Sequence, residues 1–190
     1  MKKTTKITII IIAIIAVIAV IAGVIAINSK PKTNLQTINS AEDLATLIEK
    51  IYEGQTIKMP MLMTQTIDAS DNDAVKAATG LENADNLEYV VTSEPMMTSQ
   101  AYSLVLVKVK NGVDANAVAK TMNENIDSRK WICVSAEKVY TTSSNNVVCL
   151  VMSSEEIAKP IYEKFKTLAG NIGEEYEKTE QEVELPPEMY

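Results

Sequence analysis

The chain has 190 residues, a formal net charge of −7, 5% aromatic residues and no histidine. Without histidine it lacks the commonest general base and the commonest metal ligand. All 25 acidic residues and 15 of the 18 basic ones lie beyond residue 27, so that part carries about ten negative charges, repels nucleic acid and anionic headgroups, and offers few aromatics for base stacking.

Ile7–Ile27 is an uncharged run of 21 residues, with only Thr8 and Gly23 outside the aliphatic set. A helix of that length reaches ~30 Å, the hydrocarbon thickness of a bilayer. Lys2, Lys3 and Lys6 precede it, while Lys30 and Lys32 follow. The lysine bias predicts a cytoplasmic N-terminus and an extracytoplasmic remainder, with the lipid bilayer contacted through Ile7–Ile27. A signal peptide cleaved after Ala26 is the rival reading, but signal-peptide apolar regions are normally ~7–15 residues long. No cysteine follows the run closely, which argues against a thioether-linked lipid anchor. Residues 1–27 thus read as a cytoplasmic tip and transmembrane anchor.

Residues 28–39 (NSKPKTNLQTIN) are polar and read as a stalk. Residues 40–170 read as one extracytoplasmic domain. Ser40 to Asp43 has the pattern of a capping box, followed by Leu44, Leu47, Ile48 and Ile51 at helical spacing, with Gly54 as the stop. Ile57–Ile67 reads as a strand, placed at an edge or bulge by Pro60. Asp71–Thr79 reads as a short helix ending at Gly80.

An internal repeat follows. Glu88-Tyr89-Val90-Val91-Thr92 recurs as Glu137-Lys138-Val139-Tyr140-Thr141. Each copy leads to a second apolar strand, Tyr102–Val109 or Val147–Met152. Each of those leads to an amphipathic helix, Asp114–Ile126 or Ser154–Leu168. Two strand–strand–helix units predict an α+β fold: one antiparallel sheet with helices on one face. Leu104 and Leu106 alternate with valines at Val105, Val107 and Val109, which marks that strand as central. Residues 171–190, with seven glutamates and Pro186-Pro187, read as a frayed helix and a loose acidic tail.

The segments Lys58–Asp68 (KMPMLMTQTID), Ser93–Ala115 (SEPMMTSQAYSLVLVKVKNGVDA), Asp127–Tyr140 (DSRKWICVSAEKVY) and Val147–Pro160 (VVCLVMSSEEIAKP) resemble a family of Firmicute cell-envelope proteins classed as a domain of unknown function. The resemblance spans roughly Ile57–Ala169. It implies a single α+β domain, anchored or lipidated, outside the membrane of a Gram-positive cell. Many family members carry a lipid-anchor cysteine, and this chain departs from that by using a helix. The resemblance carries over no catalytic or binding residues.

Four constellations invite chemistry. Met59, Met61 and Met63 alternate and would share one strand face, with Met96 and Met97 in a second Pro-Met segment. Thioethers suit copper(I), whereas a pliable apolar face packed on a helix, or a partner surface, needs no metal. Packing on a helix is the reading preferred here. Asp68 to Asp73 has alternating oxygens, but an EF-hand loop would need Gly at Asp73 and Glu at Thr79, so helix capping explains these residues better. Ser–Lys catalysis would draw on Ser128-Arg129-Lys130 or Ser153-Ser154, which look like turn and cap residues without a nucleophile signature. The acidic tail could hold cations weakly or reach a basic partner, but solvation accounts for it.

Cys133 and Cys149 both sit in apolar runs and read as buried thiols. With a hairpin closing at Ser143–Asn146, Cys149 lies opposite about Tyr140 and ~23 Å from Cys133, too far for a disulfide. The expected function is a membrane-tethered binding or accessory module without enzymatic activity or cofactor, facing an envelope protein partner. A carboxylate-dependent hydrolase of the cell envelope is the first alternative, and copper(I) binding through methionines the second.

Overall fold

A computed structural model describes residue 35 and residues 38–97 and 99–180. The expected transmembrane helix and most of the expected stalk lie outside these residues. Among the described residues no helix is long and apolar enough to cross a membrane.

In chain order the elements are α1 (Ala41–Tyr52), β1 (Leu62–Thr66), α2 (Asn72–Thr79), β2 (Leu87–Pro95), β3 (Ser103–Val109), α3 (Ala115–Asn125), β4 (Lys138–Ser144), β5 (Val147–Ser153), α4 (Glu155–Ala169) and β6 (Glu175–Thr179). The strands form one antiparallel sheet in the order β1-β2-β3-β5-β4-β6. The fold is therefore α+β with a single antiparallel sheet, and both strand–strand–helix units are present.

Local signals account for the helix starts. The Asp43 amide donates to Ser40 Oγ at 3.2 Å and the Ser40 amide donates back to Asp43 Oδ2 at 3.1 Å, which closes the capping box of α1. A further amide bond from Asn39 is the largest of the effects that hold the Asp43 carboxyl below its ordinary range. Asp71 Oδ1 accepts the Ala74 amide and caps α2, and Asp68 Oδ1 accepts the Ser70 amide, so these two carboxylates serve cap and turn. Gly80 ends α2 at φ 77, and a Cβ there would stand 2.5 Å from the Ile126 amide nitrogen, so this helix end admits glycine on two counts.

The helices do not lie on one face as expected; they cover both. Val91, Leu104, Leu106, Cys149 and Val151 turn to the face packed by α1 and α4. Val90, Val105, Val107, Val148, Leu150 and Met152 turn to the face packed by α2 and α3. Topology supplies the reason. The pairing order makes β3 parallel to β4, and β5 parallel to β6, each pair separated by one strand. The crossovers through α3 and α4 step in the same direction along the sheet, but β3 and β5 run oppositely. Crossovers of one hand must then lie on opposite faces, and connections between parallel strands are almost always right-handed. The two hairpins repeat about an axis normal to the sheet, and the helices break that repeat.

Four further readings shift. Leu35 and Ile38, in the segment read as stalk, are buried in the core beside α1, so the domain starts ahead of residue 40. The segment read as frayed helix and tail supplies β6, an edge strand paired with β4. Polar bonds hold it there. Thr142 Oγ1 donates to the Glu174 carbonyl, Ser144 Oγ to the Asn171 carbonyl, and the buried Asn123 amide reaches Thr141 Oγ1 and the Tyr176 carbonyl. The β4–β5 turn is displaced from the expected one, with Ser144 opposite Val147, so Cys149 faces Thr142. Cys133 lies in an irregular loop at φ 60 and is exposed, whereas Cys149 is buried; both thiols are free.

Candidate functional site

The strand registers bring the start of β1, β3 and β4 together with the end of β2, β5 and β6 at one end of the sheet. That end carries the exposed large apolar side chains found among the described residues: Met61, Met63, Met96, Met97 and Ile132. Each is 50% to 76% exposed. Scattered exposed apolar residues are ordinary, whereas these five are concentrated at one end of the domain.

The pleat assigns faces to these side chains. The Met96 amide donates to the Met61 carbonyl, so Met61 lies opposite Met96 in continuation of the β1–β2 register. Leu62 packs on the α1 and α4 side, and Ile67 on the other. By alternation, Met61, Met63 and Met96 share the α2 and α3 face, beyond the cover of either helix. Met59 packs instead on the α1 and α4 side with Ile57 and Leu62. The structure therefore splits the five methionines. The expectation that Met59, Met61 and Met63 pack together on a helix is not met: Met59 packs against the core, whereas Met61 and Met63 are exposed. Pro60 explains the break, because the segment before it is not in the ladder and does not keep the strand period.

A polar knot supports the apolar corner. Lys130 Nζ stands 2.5 Å from Glu94 Oε1, donates to the Ala77 carbonyl at 3.2 Å, and lies 5.5 Å from the centre of the Trp131 ring. Ser103 Oγ donates to the same Glu94 oxygen at 2.7 Å. This is the one place among the described residues where a serine hydroxyl and a lysine amine approach, at 3.5 Å. Ser103 has no exposed surface, and its proton is committed to a carboxylate, so no substrate carbonyl can reach it. The residues picked from the sequence do other work. Ser128 Oγ donates to Glu180 Oε2, Ser153 Oγ to the Ala101 carbonyl, and Ser154 is the N-cap residue of α4.

Beside the corner is a cleft of about 350 Å³. Its walls are Lys58–Pro60, Gln100–Tyr102, the loop Val134, Ser135 and Glu137, and the junction of β5 with α4 at Ser153, Ser154 and Ile157. Glu137 is the one carboxylate in this lining, and its Oε2 accepts the Glu155 amide at the N-terminus of α4. Tyr102 is buried and its hydroxyl meets that of Tyr52 at 2.9 Å. Burial pushes the Tyr52 phenol up to about 12 and the Tyr102 phenol well above its ordinary value. Neither supplies a phenolate base near neutrality. A hydrolase built on two carboxylates has no second carboxylate in this cleft.

A second cleft of about 290 Å³ runs along β6 and α4. Tyr140 and Tyr162 stack there with centroids 5.2 Å apart, and the Tyr162 hydroxyl donates to Glu175 Oε2. Lys166 bridges Glu163 and Glu175, and Lys138 pairs with Glu177. Its glutamates are thus largely neutralised by lysines of the same chain. Among the described residues no group of three or more Cys, Asp or Glu is arranged to hold a metal ion. No protein-family model matches the chain, and neither curated proteins nor solved structures yield a match.

Proposed function

We propose that this chain is a tethered binding or accessory module without enzymatic activity, whose contact surface is the sheet end bearing Met96, Met97 and Ile132 beside the Glu137 cleft. The supporting observation is the concentration of exposed large apolar side chains at that one end. Methionine side chains are unbranched and polarisable and adapt to irregular partner surfaces, which suits a contact rather than a rigid active site. The cleft, with one carboxylate already engaged in a helix cap, favours binding over hydrolysis. Anchoring through Ile7–Ile27 with the domain outside the membrane, and the kinship with Firmicute envelope proteins, belong to the same proposal and rest on the sequence.

Photo-crosslinking in intact membranes tests the contact surface. A benzophenone amino acid at Met97 or Ile132 should give discrete adducts with a second protein, and one at Glu124 on the outer side of α3 should give none. Equal labelling from all three positions, or from none, rejects this surface.

A further inference from the structure

The structure assigns a second partner surface beyond that contact end: the free edge of β1, which we propose pairs antiparallel with β1 of a second copy of the chain. β1 ends the sheet, and all of its residues but Leu62 are exposed. The Met96 amide bonds the Met61 carbonyl and the Ile67 amide bonds the Val90 carbonyl, so odd-numbered residues of β1 face β2. The amides and carbonyls of Leu62, Thr64 and Thr66 therefore point outward, and none has a partner among the described residues. Exposed edges usually carry charges that block strand addition. β6, at the other edge, does so with Glu175, Glu177 and Lys178. β1 does not: no residue from Met59 to Ile67 is charged.

The identity of the occupant follows from charge and symmetry. Two copies of an acidic domain repel over most of their surfaces, and this uncharged strip is where they can approach. Lys58 and Asp68 flank it, each five residues from Met63. A two-fold axis at Met63 brings each lysine toward the aspartate of the other copy, the self-complementarity an isologous contact requires. In that register Leu62 and Thr64 exchange bonds across the axis, and the Thr66 amide meets the carbonyl of Pro60. Pro60 has no amide, so no donor is left unpaired there. The two Met63 side chains meet across the axis, and the exposed methionine corners of both copies join into one patch on a continuous sheet. A contact this small lies at the low end of specific interfaces, so covalent trapping suits it.

The test uses the full chain in its membrane with Cys133→Ser, leaving the buried Cys149 in place. Met63→Cys should form a disulfide-linked dimer under mild oxidation. Gln65→Cys should not, because the two cysteines would stand about 13 Å apart along the strands. Adding Thr64→Lys to Met63→Cys should cut the dimer at least tenfold by placing like charges at the seam, with the circular dichroism spectrum unchanged. If that variant misfolds, Thr64→Pro replaces it, since proline is tolerated where an edge amide faces outward. Absence of dimer from Met63→Cys, equal dimer from Gln65→Cys, or dimer that persists in a folded Thr64 variant overturns the proposal. Failure here leaves the photo-adducts at Met97 and Ile132 unaffected, so the two proposals fail separately.

Discussion

Lys130 and Glu94 form an ion pair of 2.5 Å that joins the loop before β4 to the end of β2. Their side chains are 15% and 28% exposed, so water screens the pair only partly. Ser103 Oγ shares the Glu94 oxygen, and the lysine also holds the Ala77 carbonyl. Lys130→Met keeps most of the side-chain volume but leaves a part-buried carboxylate with one donor fewer. The expected cost is about 1–3 kcal/mol in urea unfolding. Hydrogen exchange should rise in the loop 127–136 and stay unchanged in α4. Unchanged loop protection would show that the tie is incidental.

Gly173 sets the approach of β6. Its amide donates to the Ser143 carbonyl at 2.7 Å, and the next amide, Glu174, donates to Asn116 Oδ1 at 3.1 Å. A Cβ on residue 173 would overlap the Asn116 carboxamide oxygen and stand 2.5 Å from Ser143 Oγ, which is itself bonded to Asn116. Gly173→Ala should therefore displace the Asn116 side chain and loosen β6, at about 1–3 kcal/mol. Tyr176 and Lys178 should gain exchange relative to β5. A variant with native stability and native β6 protection contradicts this docking.

β6 also shows where the sequence was legible and where it was not. The capping box, the α2 cap, both hairpins and the helices that follow them could be read from local pattern, because each signal lies within a few residues. β6 (EYEKT) has no apolar alternation. Its place is fixed by Thr142, Ser144, Asn116 and Asn123, polar partners from segments far away in sequence. The helix faces were hidden for a different reason. They depend on strand order, since β5 inserts beside β3, and that order is a nonlocal property. Of the candidate site, the methionines were visible as an unusual spacing, but their exposure depends on where α2 and α3 stop covering the sheet.

Buried phenols and a buried thiol predict loss of stability in alkali. Burial raises the pKa of Tyr52 to about 12 from 10.0, and it raises Cys149, Tyr102 and Tyr162 as well. These acids are neutral in the fold, so the stability they contribute is complete below their unfolded pKa values and is lost as pH rises toward their folded ones. For Tyr52 the window runs from about 10 to about 12, and its loss is of order 2 kcal/mol. The thermal midpoint should fall steadily above pH ~9, beginning with Cys149, the group of lowest ordinary pKa. In native buffer one thiol, Cys133, should react with a maleimide, and Cys149 only after unfolding. Rapid modification of both thiols would contradict the burial of β5.

The methionines allow a comparison of packing with metal binding. Met61 and Met63 are 76% and 50% exposed, so Met61→Ser with Met63→Ser removes little buried area and should shift stability by no more than about 0.5 kcal/mol. Met59 packs on the core with Ile57 and Leu62, so Met59→Ser should cost more, on the order of 1–2 kcal/mol. A copper(I) site of three thioethers at 59, 61 and 63 would need them on one side, whereas Met59 lies on the opposite side of the sheet from Met61 and Met63. Copper(I) competition against a chelator should give the same titration for the wild type and for the variant with all three methionines changed to leucine. A stoichiometric site in the wild type that vanishes in that variant would require Met59 to leave the core on binding. It would move the function of this corner from protein contact to soft-metal capture.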